Sequence, residues 1–131
     1  MQETIINQAE SGRVLVVGVV GPCGAGKSSL VAGLKPYGFH VRHIAQEHSY
    51  VPDMWKRLTN PDVLIYLEVS YENTVLRRQL DWTRDEYNQQ LHRLRHARQH
   101  ADYILDTNPL TLEGVIKSAL AFINSFHLPT G

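Results

Sequence analysis

Gly21-Pro22-Cys23-Gly24-Ala25-Gly26-Lys27-Ser28 is a glycine-rich octapeptide that ends in a lysine and a hydroxyl residue. It fits the spacing Gly-x-x-x-x-Gly-Lys-Ser/Thr with nothing missing. Glycines let backbone N–H groups turn inward around an anion, and a helix beginning just after them adds its own free N–H groups and the positive end of its dipole. Lys27 contributes a full charge for the β and γ phosphates of a nucleotide, and the Ser28 hydroxyl suits a magnesium ion. Ser29 continues the phosphate-facing run. Lying in an exposed loop, Lys27 is expected to be replaceable with little loss of fold.

Other residues could serve the same chemistry. Glu47, Asp53 and Glu68 are candidate acids, each also readable as a solvated or capping carboxylate. Glu47 is favoured as the magnesium acid, or as the group that takes a proton from an acceptor hydroxyl, because it follows a strand that would lie beside the glycine loop. Asp53 is second. The stretch 77–100 holds six arginines against three acids. Planar guanidinium donors there could neutralise charge on a transferring phosphoryl group, or could form a solvated face. Arg78, Arg84 and Arg98 are the candidates, Arg98 because at about 100° per residue it falls near the apolar stripe of its helix. On the same projection His92, His96 and His100 lie opposite that stripe, facing water, which favours surface histidines over a metal site. Cys23 sits in the loop, as a small side chain or as a thiol activated by its surroundings. Trp55 and Trp82 could line a substrate cleft, but packing is the default for large aromatics.

The elements that must position these residues follow from periodicity and turn chemistry. Val14–Val20 is β-branched and without polar alternation, as suits a strand buried on both faces. Ser29–Lys35 reads as a short helix stopped by Pro36 and Gly38. Phe39–Ala45 is a second strand, followed by Gln46–Ser49 and by one or two helical turns over Val51–Leu58. Asp62–Val69 is a third strand after the Asn60-Pro61 break. Tyr71–Leu80 is a helix with Ser70 as N-cap, and Thr83 to Glu86 has the spacing of a capping box opening a helix to about Gln99. Tyr103–Asp106 is the fourth strand. Leu112, Val115, Ile116, Ala119, Leu120, Ile123 and Phe126 recur at helical spacing in a closing helix. Strands alternating with helices give an α/β fold with a parallel sheet covered on both faces.

Past the loop, Asp62 to Arg78 is similar to the strand, acidic turn and arginine-bearing helix that precede the lid in small P-loop kinases of the nucleoside monophosphate kinase-like group. Ala101 to Thr107, with Asn108-Pro109-Leu110-Thr111-Leu112-Glu113, is similar to their last strand, base-lining loop and closing helix. The resemblance implies a three-layer P-loop NTPase fold, with a short parallel sheet of four or five strands. It implies a nucleotide site at Gly21 to Ser29 with Asn108 and Pro109, and catalysis by Lys27, Arg78, Arg84 and Arg98, with Glu47 standing in for the acid those kinases usually carry. Magnesium would be held by Ser28 and Glu47, with ATP or GTP as donor. Those kinases carry a further helix and strand between the second strand and Asp62, where this chain has only about fifteen residues. A sheet of four strands in the order 2-1-3-4 is therefore expected.

At 131 residues the chain is the size of a single domain, with a core over about 13–126 between a polar lead-in and a short tail. Thirteen basic residues balance thirteen acidic ones at a pI near 7.1, so no global field holds nucleic acid or a membrane surface. One cysteine excludes an internal disulfide, and Met1 to Glu10 lacks the pattern of a signal peptide. A cytoplasmic protein is expected, with a nucleoside triphosphate and a small-molecule acceptor as its partners. Two function classes stand: a small phosphotransferase, and a nucleotide-binding module or slow NTPase without an acceptor site. The segment from Gln46 to Asp62 separates them, according to whether it positions an acid and a pocket or is merely a crossover.

Overall fold

The computed structural model describes residues 14–126; the polar lead-in before them and the tail after them lie outside the described residues. Four strands, β1 (Val16–Val20), β2 (His40–His43), β3 (Val63–Glu68) and β4 (Tyr103–Asp106), form one sheet in the order β2-β1-β3-β4. Every pairing is parallel: Val17 lies opposite Val41 on one side and Val63 on the other, and Ile65 lies opposite Tyr103. The expected order holds. The strands are two or three residues shorter than the runs that announce them, apart from β4, whose bounds match.

The helices are α1 (Lys27–Leu34), α2 (Met54–Leu58), α3 (Tyr71–Arg78), α4 (Arg84–Arg93), α5 (Arg95–His100) and α6 (Leu112–Ser125), with single 3-10 turns at Lys35–Tyr37 and Gln46–His48. Alternate residues of β1 and β3 serve two cores. Val17, Val19, Val63, Ile65 and Leu67 pack with Leu30 and Leu34 of α1 and with Val115, Ala119 and Ile123 of α6. Val20, Leu64 and Tyr66 pack on the other face with Trp55, Leu94 and Ala97. Unbroken apolar runs form central strands here because both faces are covered. Gly33 lets α1 and α6 approach, since a Cβ there would meet Ile116 Cδ1 at 2.4 Å.

Carboxylates at strand starts fix the register of two neighbours. Asp62 Oδ2 accepts from the Val16 amide at 2.8 Å, and Asp102 Oδ2 accepts from the Leu64 amide at 2.7 Å. Ser70 caps α3 by accepting from the Asn73 amide, and Thr83 with Glu86 forms the complete capping box of α4.

The single helix expected from Thr83 to about Gln99 is two helices. The chain turns at Leu94 (φ −91°, ψ −4°), and the Arg95 guanidinium donates to the His92 carbonyl at the break, 2.7 Å. The turn rotates the later residues, so the projection that set all three histidines in water fails for His96. Its ring is half-buried, accepts from Trp55 Nε1 at 3.1 Å and stacks on His100. Among the described residues no helix is long and apolar enough to cross a membrane.

Candidate functional site

The glycine loop leaves the carboxyl end of β1, the central strand that pairs with both β2 and β3. Gly24 (φ 86°) and Gly26 (φ 96°) take left-handed backbone conformations that side chains with a Cβ adopt only with strain. The Ala25 amide closes a turn on the Pro22 carbonyl at 3.1 Å. Gly26 is the N-cap of α1 and offers no capping side chain, so no side chain caps the first-turn N–H groups of that helix.

Lys27 does not extend into solvent. Its ammonium curls back over the loop, donating to the Gly21 carbonyl at 2.8 Å and the Pro22 carbonyl at 3.1 Å, and it lies 3.0 Å from Glu47 Oε2. Lys27 is 5% exposed and Glu47 3%. The expectation that Lys27 could be replaced without cost to the fold is thereby corrected: it is half of a buried ion pair, and its removal strands a buried carboxylate. Glu47 Oε1 is buried and has no hydrogen-bond partner.

Glu47 is carried by the 3-10 turn after β2, whose strand pairs directly with β1. The turn is held by Gln46, a fully buried amide that donates to the Val51 and Arg93 carbonyls at 2.9 and 3.2 Å and accepts from the Trp55 amide at 2.8 Å. One side chain thus ties the turn to α2 and α4. Arg93 adds a bond to the Glu47 carbonyl at 3.3 Å. The segment from Gln46 to Asp62 does position an acid at the loop.

The remaining acids are engaged elsewhere. Asp53 pairs with Arg57 one turn along α2 at 2.9 Å, and that guanidinium holds its carboxyl below the usual value. Glu68 Oε2 accepts from Nε and Nη2 of Arg98 at 3.0 and 2.6 Å, and this hydrogen-bonded carboxylate drives Arg98 further toward its charged form. The guanidinium lies 5.7 Å from the centre of the Tyr66 ring.

The three candidate arginines separate in space. Arg78 lines a small cleft with Gly24, Gly26, Lys27, Ser28 and His43, its Nη2 lying 3.5 Å from where a Cβ on Gly26 would be. Arg98 borders a cleft of about 470 Å³ that also touches Pro22, Tyr66, Glu68, Ser70 and Asn108. Arg84 is turned to Glu72, with which it pairs, and lies 4.8 Å over the Tyr71 ring. Ser28 is exposed at the mouth of the loop and Ser29 half-buried. Asn108 Oδ1 accepts from the Ser70 amide at 3.0 Å and from Asn73 Nδ2 at 2.7 Å, tying the turn after β4 to the start of α3, with Pro109 exposed beside it. Arg77 fastens that turn from α3 by donating to the Thr107 and Asn108 carbonyls.

Gln90 was not anticipated. Buried in α4, it accepts from the Cys23 amide at 2.9 Å and donates to the Cys23 sulfur at 3.2 Å. One loop N–H is thus committed to the protein, and the loop is braced from a helix sixty-seven residues away. The sole signal in the sequence is a polar residue at the position before Leu91 on a face that also carries Tyr87 and Leu94. Trp55 and Trp82 pack as expected, Trp82 donating to Thr74 and meeting Tyr87 edge-on. The chain matches no protein-family model and no curated protein sequence.

Proposed function

We propose that this chain adopts a P-loop NTPase fold, binds a nucleoside triphosphate at Gly21 to Ser29, and transfers the γ-phosphoryl group of ATP or GTP to a small-molecule acceptor. The observation that carries the reading is the Lys27 ammonium, drawn over a loop of left-handed glycines at the end of a central parallel strand and opposed by the buried Glu47. In parallel sheets of this kind ligands sit beyond the carboxyl ends of the strands.

Three contacts occupy the Lys27 ammonium, so a phosphate must take the place of one of them. Glu47 is the one to yield, because the two carbonyls belong to the loop that wraps the phosphate. The released carboxylate is then a base beside the transferring group, able to take the proton of an acceptor hydroxyl. Arg78 stands at the loop mouth to meet the phosphate charge, and Arg98 faces the cleft of about 470 Å³, a size suited to a small metabolite. The exposed Ser28 hydroxyl and the orphaned Glu47 Oε1 are oxygen donors of the kind magnesium takes. Bound there, magnesium would neutralise phosphate charge.

The cleft beside Arg98 and the acid at Glu47 favour a phosphotransferase over a binding module. Titration calorimetry with ATP and GTP, with and without magnesium, tests the binding step. Product analysis over a panel of small hydroxyl, carboxylate and phosphate acceptors tests the transfer. Absence of triphosphate binding to the folded chain refutes both steps, and binding with hydrolysis alone leaves the slow NTPase.

A further inference from the structure

Cys23, Glu47 and His48 bring a thiol, a carboxylate and an imidazole to one point beside the loop. The Cys23 sulfur lies 3.8 Å from His48 Nε2, and His48 Nε2 lies 3.7 Å from Glu47 Oε2. The three donor atoms are all within 4.8 Å of one another. Tetrahedral zinc, with bonds of about 2.0 to 2.3 Å, sets its ligands about 3.5 Å apart. The three donors need only a small contraction to reach that spacing.

We propose that these three residues bind a thiophilic divalent cation of the zinc class, with the fourth position open to water or an anion. The second observation beyond the cluster is the unpartnered Glu47 Oε1, on a side chain 97% buried by its 3% exposure. An orphaned buried carboxylate oxygen costs free energy; the Glu47 oxygen 3.7 Å from His48 is Oε2, so a cation there relieves that cost by taking the carboxylate through both oxygens. The ligands are also held in advance. Gln90 fixes Cys23 through both its amide and its sulfur, while Gln46 and Arg93 hold the turn that carries Glu47 and His48. His48 is exposed, so its ring can adjust to close the geometry.

Donor chemistry selects the ion. A sulfur, nitrogen and oxygen set favours zinc or cobalt, whereas magnesium takes oxygen and keeps its waters. Binding expels the thiol proton to solvent, since the thiolate is the ligand. The site stands whether or not the loop takes a nucleotide, but the two share Glu47. A cation that draws this carboxylate from Lys27 frees the ammonium to donate to an anion in the loop.

Cobalt titrated into the metal-free 131-residue chain tests the proposal, because Cys23 is its single cysteine and any thiolate-to-cobalt charge-transfer band reports it. The expected result is a near-ultraviolet band that saturates at one equivalent, is bleached by zinc and persists in excess magnesium. Cys23→Ser abolishes the band. His48→Ala, which alters an exposed side chain, weakens zinc binding by about tenfold or more, and Gln90→Leu by about tenfold. No band, a band removed by magnesium, or zinc affinity that survives His48→Ala in the folded protein overturns the assignment. So does zinc affinity that is lost instead on replacing His96 and His100.

Discussion

The Lys27 ammonium and the Glu47 carboxylate meet at 3.0 Å with both side chains buried, joining the loop after β1 to the turn after β2. A buried pair of this kind has already given up its hydration, so its members depend on each other more than surface ions do. It also places the strongest local cation and the nearest acid in one contact. Anything that binds the loop must therefore act on both.

Removing Lys27 alone should destabilise the protein. Lys27→Ala leaves the Glu47 carboxylate buried without its partner, at a cost of about 3–5 kcal/mol. Adding Glu47→Gln to it should restore much of the loss. Urea unfolding of the two single variants and the double variant measures the coupling; strictly additive effects would mean that the pair contributes nothing.

The three arginines should behave differently from one another. Arg78→Ala should weaken triphosphate binding by about tenfold or more, the worth of a charge-assisted hydrogen bond. Arg98→Ala should lower kcat with little change in nucleotide affinity. Arg84→Ala should leave both untouched, because its partners are Glu72 and Tyr71. Exposed pairs contribute about 0–1 kcal/mol, so all three variants should keep their fold. A large loss of turnover in Arg84→Ala with the others intact would reverse the assignment.

Stability should fall in alkali through Tyr66. Burial raises its phenol above the ordinary value, an effect only partly offset by Arg98. In the unfolded chain the phenol ionises near pH 10, while in the folded protein it stays neutral, so the unfolded state binds fewer protons above that point. The contribution is full below about pH 10 and is lost progressively as the pH rises, by at most about 1.4 kcal/mol per pH unit. Tyr87, raised by its own burial, acts in the same direction. Urea unfolding of Tyr66→Phe between about pH 9 and pH 11 should show a shallower decline than the parent; identical slopes would contradict the account.

Gly26→Ala should cost about 1–2 kcal/mol through backbone strain alone. The glycine has φ 96°, and the nearest atom to an added Cβ is the flexible Arg78 Nη2 at 3.5 Å, so crowding is not the cause. Calorimetric melting should record the loss, accompanied by weakened phosphate binding as the loop relaxes. A variant as stable as the parent would show that the loop tolerates another conformation.

Much of the architecture is legible in local sequence. The β-branched run of β1, the punctuation by Pro36, Gly38 and Asn60-Pro61, and the caps at Ser70 and Thr83 act over a few residues, and each produced the element it signals. The break at Leu94 was not legible. No proline or glycine marks it, and it decides that His96 meets Trp55 rather than water.

The sequence by itself determined the glycine loop and the alternation that forces a parallel sheet, because periodicity and turn chemistry depend on near neighbours and crossovers have one hand; the four-strand order was expected only through the resemblance to the small P-loop kinases. Only the tertiary structure decided that Glu47 would be buried against Lys27, that Gln90 would grip Cys23, and that Glu68 would be held by Arg98. Those contacts join residues far apart in the chain. Their existence depends on which strands lie side by side and how each helix is rotated over them, and a shift of one residue in a strand or one turn in a helix would send the same side chains elsewhere.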